Sequence, residues 1–108
     1  MVTAHIEAGI CGFNTRVTAE ALPDGQIELR VTSDCPSVQC LAAGLAAVDP
    51  LREITYRGEA PAILAAARAL LPHPACVVPS ALLKAVEVAA GLALPAPASI
   101  VFEDREDE

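Results

Sequence analysis

The feature that most constrains this chain is a change of hydrophobic period at TSDCP, residues 32–36. Before it, Ile27, Leu29 and Val31 lie on one face of an extended segment with Glu28, Arg30 and Thr32 on the other, the period-two pattern of a half-buried strand. Val2 to Glu7 and Thr15 to Ala21 alternate in the same way, more loosely, with Gly9 and Gly12 punctuating the gap between them. LPDGQ, residues 22–26, is a strong turn signal, because proline presets one dihedral and glycine accepts a positive one. The N-terminal part therefore reads as a meander of three antiparallel strands.

After TSDC the spacing becomes helical. Val38, Leu41, Leu45 and Val48 recur on one helical face, Pro36 suits a first helical position, and Asp49-Pro50 closes the run, which predicts a helix over 36–48. A second helix is expected over 61–71, opened by Pro61 and stopped by Pro72-His73-Pro74, and a third over 79–90, opened by Pro79 and ended by Gly91. EITYR, residues 53–57, reads as either an extra strand or a link. ASIVF, residues 98–102, reads as a closing strand. Strands first and helices later give an α+β fold: a small antiparallel sheet, a three-strand meander plus a C-terminal strand, packed on one face by about three helices. On this reading 1–102 form a single domain and 103–108 an acidic tail.

Composition narrows the function classes. The 108 residues suffice for a core without disulfide staples. Prolines and charges interrupt every apolar stretch before the roughly 20 residues a membrane span needs, and MVTAHIEAGICGF lacks the basic and apolar blocks of a signal peptide. A cytoplasmic location is the expectation. A net charge of -7 with dispersed Lys and Arg opposes binding to a phosphate backbone, and 3% aromatic residues leave few stacking platforms for single strands. There is no Ser-His-Asp set, phosphate-loop spacing or HExxH. Lys84 and Glu87, three apart on the polar side of the third helix, read as a surface ion pair.

The four cysteines carry the remaining chemistry. Cys11 lies in a glycine-bracketed bend, either as an outward thiol or as a small buried hydrophobe. Cys35 precedes Pro36, which makes it or Asp34 the cap of the first helix, where unpaired N–H groups favour a thiolate. Cys40 falls off the apolar stripe of that helix and reads as a peripheral thiol, with membership of a site as the lesser option. Cys76 opens the third helix in the same grammar as Cys35, with His73 near enough to join it. Cys11, Cys35 and Cys76 all stand at element junctions, and junctions can gather at one end of a small sheet. Three thiolates with Cys40, His73 or an exogenous ligand as the fourth would suit zinc or an iron-sulfur cluster. No CxxC pair supports that reading.

At GICGF, TSDCPSVQ and HPACVVPSALLKAVEVAAGLALP, blocks covering close to half of the chain, the sequence resembles an uncharacterised family of small cysteine-containing α+β proteins of bacteria and archaea. The resemblance implies shared junction cysteines at Cys11, Cys35 and Cys76 and no mechanism. It implies no role for Cys40 or His73.

The leading expectation is a small cytoplasmic metal or iron-sulfur binding protein with an accessory or carrier role, since no general acid or base is evident. A second is a thiol redox protein in which Cys35 is the nucleophile and Cys11 or Cys76 resolves it. A third is a structural or interaction module, with another protein or a second copy as partner and the cysteines as packing residues.

Overall fold

The computed structural model describes residues 1–104. Three strands, β1 (Val2–Glu7), β2 (Asn14–Ala21) and β3 (Ile27–Ser33), form the meander, and a two-residue β4 (Ala47–Val48) completes an antiparallel sheet in the order β1-β2-β3-β4. Four helices accompany it: α1 (Pro36–Ala43), α2 (Pro50–Glu53), α3 (Ala62–Leu70) and α4 (Val78–Ala89). The fold is α+β.

Local chemistry sets the strand register. Pro23, Asp24 and Gly25 make a three-residue hairpin loop in which Gly25 has φ +89 and donates to the Leu22 carbonyl, while Asp24 Oδ1 accepts from the Gln26 N–H. The pairing Ala19↔Leu29 and Val17↔Val31 follows, and across the other hairpin Ala4↔Val17 and Ile6↔Thr15. One sheet face is then Ile6, Val17, Ala19, Ile27 and Leu29, all buried. The opposite face carries Thr3, His5, Arg16, Arg30 and Thr32, which stay in solvent. α1 packs beneath β3, α4 beneath β1 and β2, and α3 lies against both helices. Val38 and Leu41, Ile63, and Leu82 and Val86 are the residues those helices bury.

Several boundaries differ from the sequence expectation. The first helix stops at Ala43, because Gly44 takes the C-cap and glycine is costly inside a helix. Leu45 and Val48 remain buried, but as part of the turn into β4, where Val48 pairs with Ile27 and the Leu29 N–H bonds to the Ala46 carbonyl. Spacing of three suits both arrangements. Asp49-Pro50 ends nothing; Asp49 caps α2 by accepting from the Leu51 N–H. EITYR is a link. α4 ends as expected, with Gly91 at φ +75 and the Leu92 N–H bonded back to the Glu87 carbonyl, a Schellman closure.

The fourth strand is β4 and not ASIVF. Residues 92–104 have no regular structure and are exposed throughout, with Ile100 73%, Val101 83% and Phe102 91% exposed. Strand-like composition cannot make a strand without a neighbour to bond to. The chain turns at Pro95, where the Ala96 N–H bonds to the Leu94 carbonyl, and the longest dimension of the described residues, 54 Å, is about twice the others. Of the expected acidic tail, Glu103 and Asp104 are exposed and 105–108 lie outside the described residues.

Candidate functional site

Two of the thiols are exposed and two half-buried. Cys11 sits with Ile10 at the tip of the β1-β2 hairpin, inside a turn closed by the Gly12 N–H on the Gly9 carbonyl, and is exposed. Cys40 points out of α1. Cys35 and Cys76 are half-buried and pack against the core. All four are free thiols. Among the described residues no three His, Cys, Asp or Glu side chains come together in a group able to hold a metal ion. The expected convergence of Cys11, Cys35 and Cys76, with Cys40 or His73, is therefore not formed within one chain. The physical reason is that two of the thiols remain on outward surfaces while Cys35 and Cys76 serve as partial core residues.

Cys35 does occupy the N-cap of α1. Its carbonyl accepts the first helical bond from Gln39, but its side chain makes no cap bond. Asp34 does not cap either, because its Oδ2 turns back to accept the Asn14 N–H at 3.2 Å. Ser33 organises this corner. Its hydroxyl meets the Thr15 Oγ1 at 2.7 Å and accepts the Cys35 N–H at 3.1 Å, and its carbonyl accepts from the Gln39 side-chain amide at 2.8 Å. The junction is a structural knot of polar groups around a half-buried thiol.

Cys76 and His73 border the same concavity. They line a cavity of about 420 Å³ between the second half of α3 and the start of α4, together with Arg68, Ser80 and an apolar wall that includes Leu64 and Leu71. The prolines at 72 and 74 end α3 and force the chain into the loop that brings His73 and Cys76 back over it. Arg68 was invisible as a site residue in the sequence, since a lone cation in AILAAARAL reads as the solvent side of a helix. Among the described residues it makes no ion pair. A second concavity, about 560 Å³, lies on the polar sheet face over the cross-strand row His5, Arg16 and Thr32. Glu7 and Asp34 flank it beside Arg16, so it presents charges of both signs.

Among the described residues one carboxylate is buried. Glu53 is 4% exposed, and its oxygens accept from the Ala62 N–H at 2.7 Å and the Ile63 N–H at 2.8 Å. It caps α3 from a separate element, since the N-cap residue of that helix is Pro61, which has no side-chain acceptor. Arg52 braces the intervening loop through the Ala60 carbonyl at 2.8 Å. Both donors thereby find partners, so the role of Glu53 is structural. The Lys84-Glu87 ion pair is absent; among the described residues the pairs are Arg30 with Glu20 and Glu28, and Arg52 with Glu59. Lys preceding Glu is the weaker orientation on a helix, and exposed pairs gain little.

The architecture defines a small α+β protein in which helices cover one sheet face and an apolar C-terminal arm stands free. The chain belongs to a family of unknown function (DUF6951), whose model matches residues 2–102. Searches among curated proteins and among solved structures found no match. No helix among the described residues is long and apolar enough to cross a membrane.

Proposed function

We propose that this protein is an interaction module that associates through its C-terminal arm. One observation carries the reading: Ile100, Val101 and Phe102 form a contiguous apolar segment that touches no core and is almost fully exposed. An apolar run held in water is costly, at about 1.5–3 kcal/mol per large side chain relative to burial, and contiguous exposed apolar surface marks association sites. The family match includes the arm through Phe102, which supports treating it as part of the domain. Sedimentation velocity on the whole chain tests this. Association that weakens on Ile100→Asp or Phe102→Asp is the expected result. Association indifferent to both substitutions, or none in the unmodified chain up to millimolar concentration, would sink it.

A second reading concerns thiol chemistry, favoured by the cavity that Cys76 shares with His73 and Arg68. It relocates the reactive thiol from Cys35 to Cys76 and suits a small ligand with an anionic group beside Arg68 and an apolar body against Leu64 and Leu71. A cysteine-held zinc or iron-sulfur centre would instead draw thiols such as Cys11 and Cys40 from more than one copy. Metal analysis of anaerobically purified chain, before and after reconstitution, decides that point; strongly substoichiometric metal in both samples rules it out.

A further inference from the structure

We infer that the partner of the arm is a second copy of this chain, whose β1 outer edge it joins as a fifth strand. The inference rests on the reading of the arm as an association surface and adds the surface that receives it.

The open edge follows from hydrogen-bond alternation. The Ala8 N–H bonds to the Phe13 carbonyl, so the facing pairs Ile6-Thr15, Ala4-Val17 and Val2-Ala19 are the bonded ones. Thr3, His5 and Glu7 consequently aim their N–H and C=O groups outward, away from β2. β1 is the terminal strand of the sheet, and it carries no proline, lysine or bulge of the kind that protects an edge. The other end of the sheet is already occupied. β4 pairs there, the Ala46 carbonyl takes the Leu29 N–H, and the Gln39 side chain takes the Ser33 carbonyl. The inward side chains agree: Val2 and Ala4 stay half-buried where Val17 and Ala19 beside them are fully enclosed, so the layer above α4 stops one strand short.

The arm fits this vacancy in composition and in register. Ala98, Ile100 and Phe102 alternate with Ser99, Val101 and Glu103, so one face can continue the core while the other joins the polar row Thr3, His5 and Glu7. An antiparallel approach puts Glu103 and Asp104 at the Val2 end of β1, where Glu20 and Glu28 are already paired with Arg30, whereas a parallel one sets them against Glu7 and Asp34, which have no ion pair among the described residues. Like charges in close register are destabilising, which selects the antiparallel arrangement. Ala98 then faces Ile6, Ile100 faces Ala4 and Phe102 faces Val2, small against large or medium at each step. Thr3 bonds to Val101 and His5 to Ser99. Pro97 falls opposite Glu7 at the first strand position, where its missing N–H is tolerated. The ladder gains about five backbone hydrogen bonds in this alternation.

The linker favours a second copy over the chain's own edge. LALPAP, residues 92–97, leaves α4 through the Leu92 closure and turns at Pro95, where the Ala96 N–H bonds to the Leu94 carbonyl, and every described residue beyond it stays exposed, clear of the chain's own β1. The arm so directed lies off its own sheet, and reciprocal exchange of two such arms closes a two-fold dimer.

Complementation between full-length variants tests the proposal by sedimentation velocity. Phe102→Asp disables the arm. His5→Pro disables the edge by removing an outward N–H that no β1-β2 bond uses, and His5→Thr keeps that N–H as its control. Circular dichroism monitors folding, and Thr3→Pro replaces His5→Pro if the latter unfolds. The unmodified chain and His5→Thr should dimerise, and each disabling variant should raise the dissociation constant at least about tenfold, equivalent to about 1.4 kcal/mol. Mixing the arm-disabled chain with the edge-disabled chain should restore association in part, to a level between the unmodified chain and either variant alone, because one of the two arm–edge contacts is then intact. Association lost in Phe102→Asp but unchanged in both edge variants overturns this inference and leaves the arm reading standing. A monomer whose His5 amide resists hydrogen exchange shows the arm on its own edge and overturns the second-copy assignment. Association unaffected by Phe102→Asp overturns both.

Discussion

Replacing Glu53 by alanine isolates the cap that joins α2 to α3. The carboxylate is 4% exposed and holds the Ala62 and Ile63 N–H groups at 2.7 and 2.8 Å, and Pro61 offers no substitute acceptor. Hydrogen bonds to a charged group contribute about 1.5–3 kcal/mol each. A carboxylate at a helix start adds about 0.3–1 kcal/mol through the macrodipole. The two bonds share one group and water can reach the part-buried Ala62 donor, so the terms do not add in full, and a loss of about 3 kcal/mol is expected. For a domain of this size each kcal/mol moves the thermal midpoint by roughly 4–8 °C. Glu53→Ala should therefore melt about 12–24 °C below the unmodified chain. Glu53→Gln keeps one acceptor but sets an NH₂ against the other donor, and should fall between, near about 1–2 kcal/mol. Urea unfolding followed by circular dichroism measures both, with a constant m-value showing that the unfolded state has not changed. If the alanine variant unfolds within about 0.5 kcal/mol of the parent, the range typical of neutral surface changes, the cap assignment is wrong.

Other outcomes follow from single contacts. Arg68→Ala should slow modification of Cys76 by an anionic aromatic disulfide while leaving its rate with iodoacetamide unchanged; equal slowing with both reagents would show that Arg68 does not act through charge in that cavity. Ser33→Ala removes the partner of the Thr15 hydroxyl and the acceptor of the Cys35 N–H, and should cost about 1–3 kcal/mol in urea unfolding. Gly25→Ala places a side chain at φ +89 and should cost about 1 kcal/mol or more, read from the same titration. Leu82→Ala empties a fully buried position and should lose about 2–5 kcal/mol.

The meander was legible because every local signal in residues 2–33 agrees. Alternation fixes the inward face, and Pro23-Asp24-Gly25 fixes the hairpin that sets register. α3 and α4 were legible for a similar reason, since prolines stand at their starts and Pro72 and Gly91 at their ends. α1 was overextended because Leu45 and Val48 satisfy helical spacing as well as the turn they form, and only Gly44 marks the difference. The cysteines misled for another reason. Position at a junction says which elements a thiol separates, but whether three junctions meet depends on how far helices travel over the sheet. Glu53 shows the same limit. Its nearest partners are nine and ten residues away, across a loop with no capping-box spacing to announce the contact.

ASIVF joins these lines of argument. Its alternation is as strand-like as that of β1, yet a strand exists only where another backbone supplies its hydrogen bonds. Within one chain that backbone is limited to two sheet edges. The β3 edge goes to β4, which lies nearer in sequence and closes a much shorter loop at lower entropic cost. The β1 edge remains, and the chain's own arm does not take it: residues 92–104 run exposed from the end of α4 and pair with no strand. Local pattern and single-chain topology thus give opposite answers for the same five residues. A second copy removes the conflict, because each arm then finds an open edge. The closing strand expected from the sequence would on this account be real in the assembly and absent from the isolated chain, and the mixing of arm-disabled and edge-disabled chains separates those two states directly.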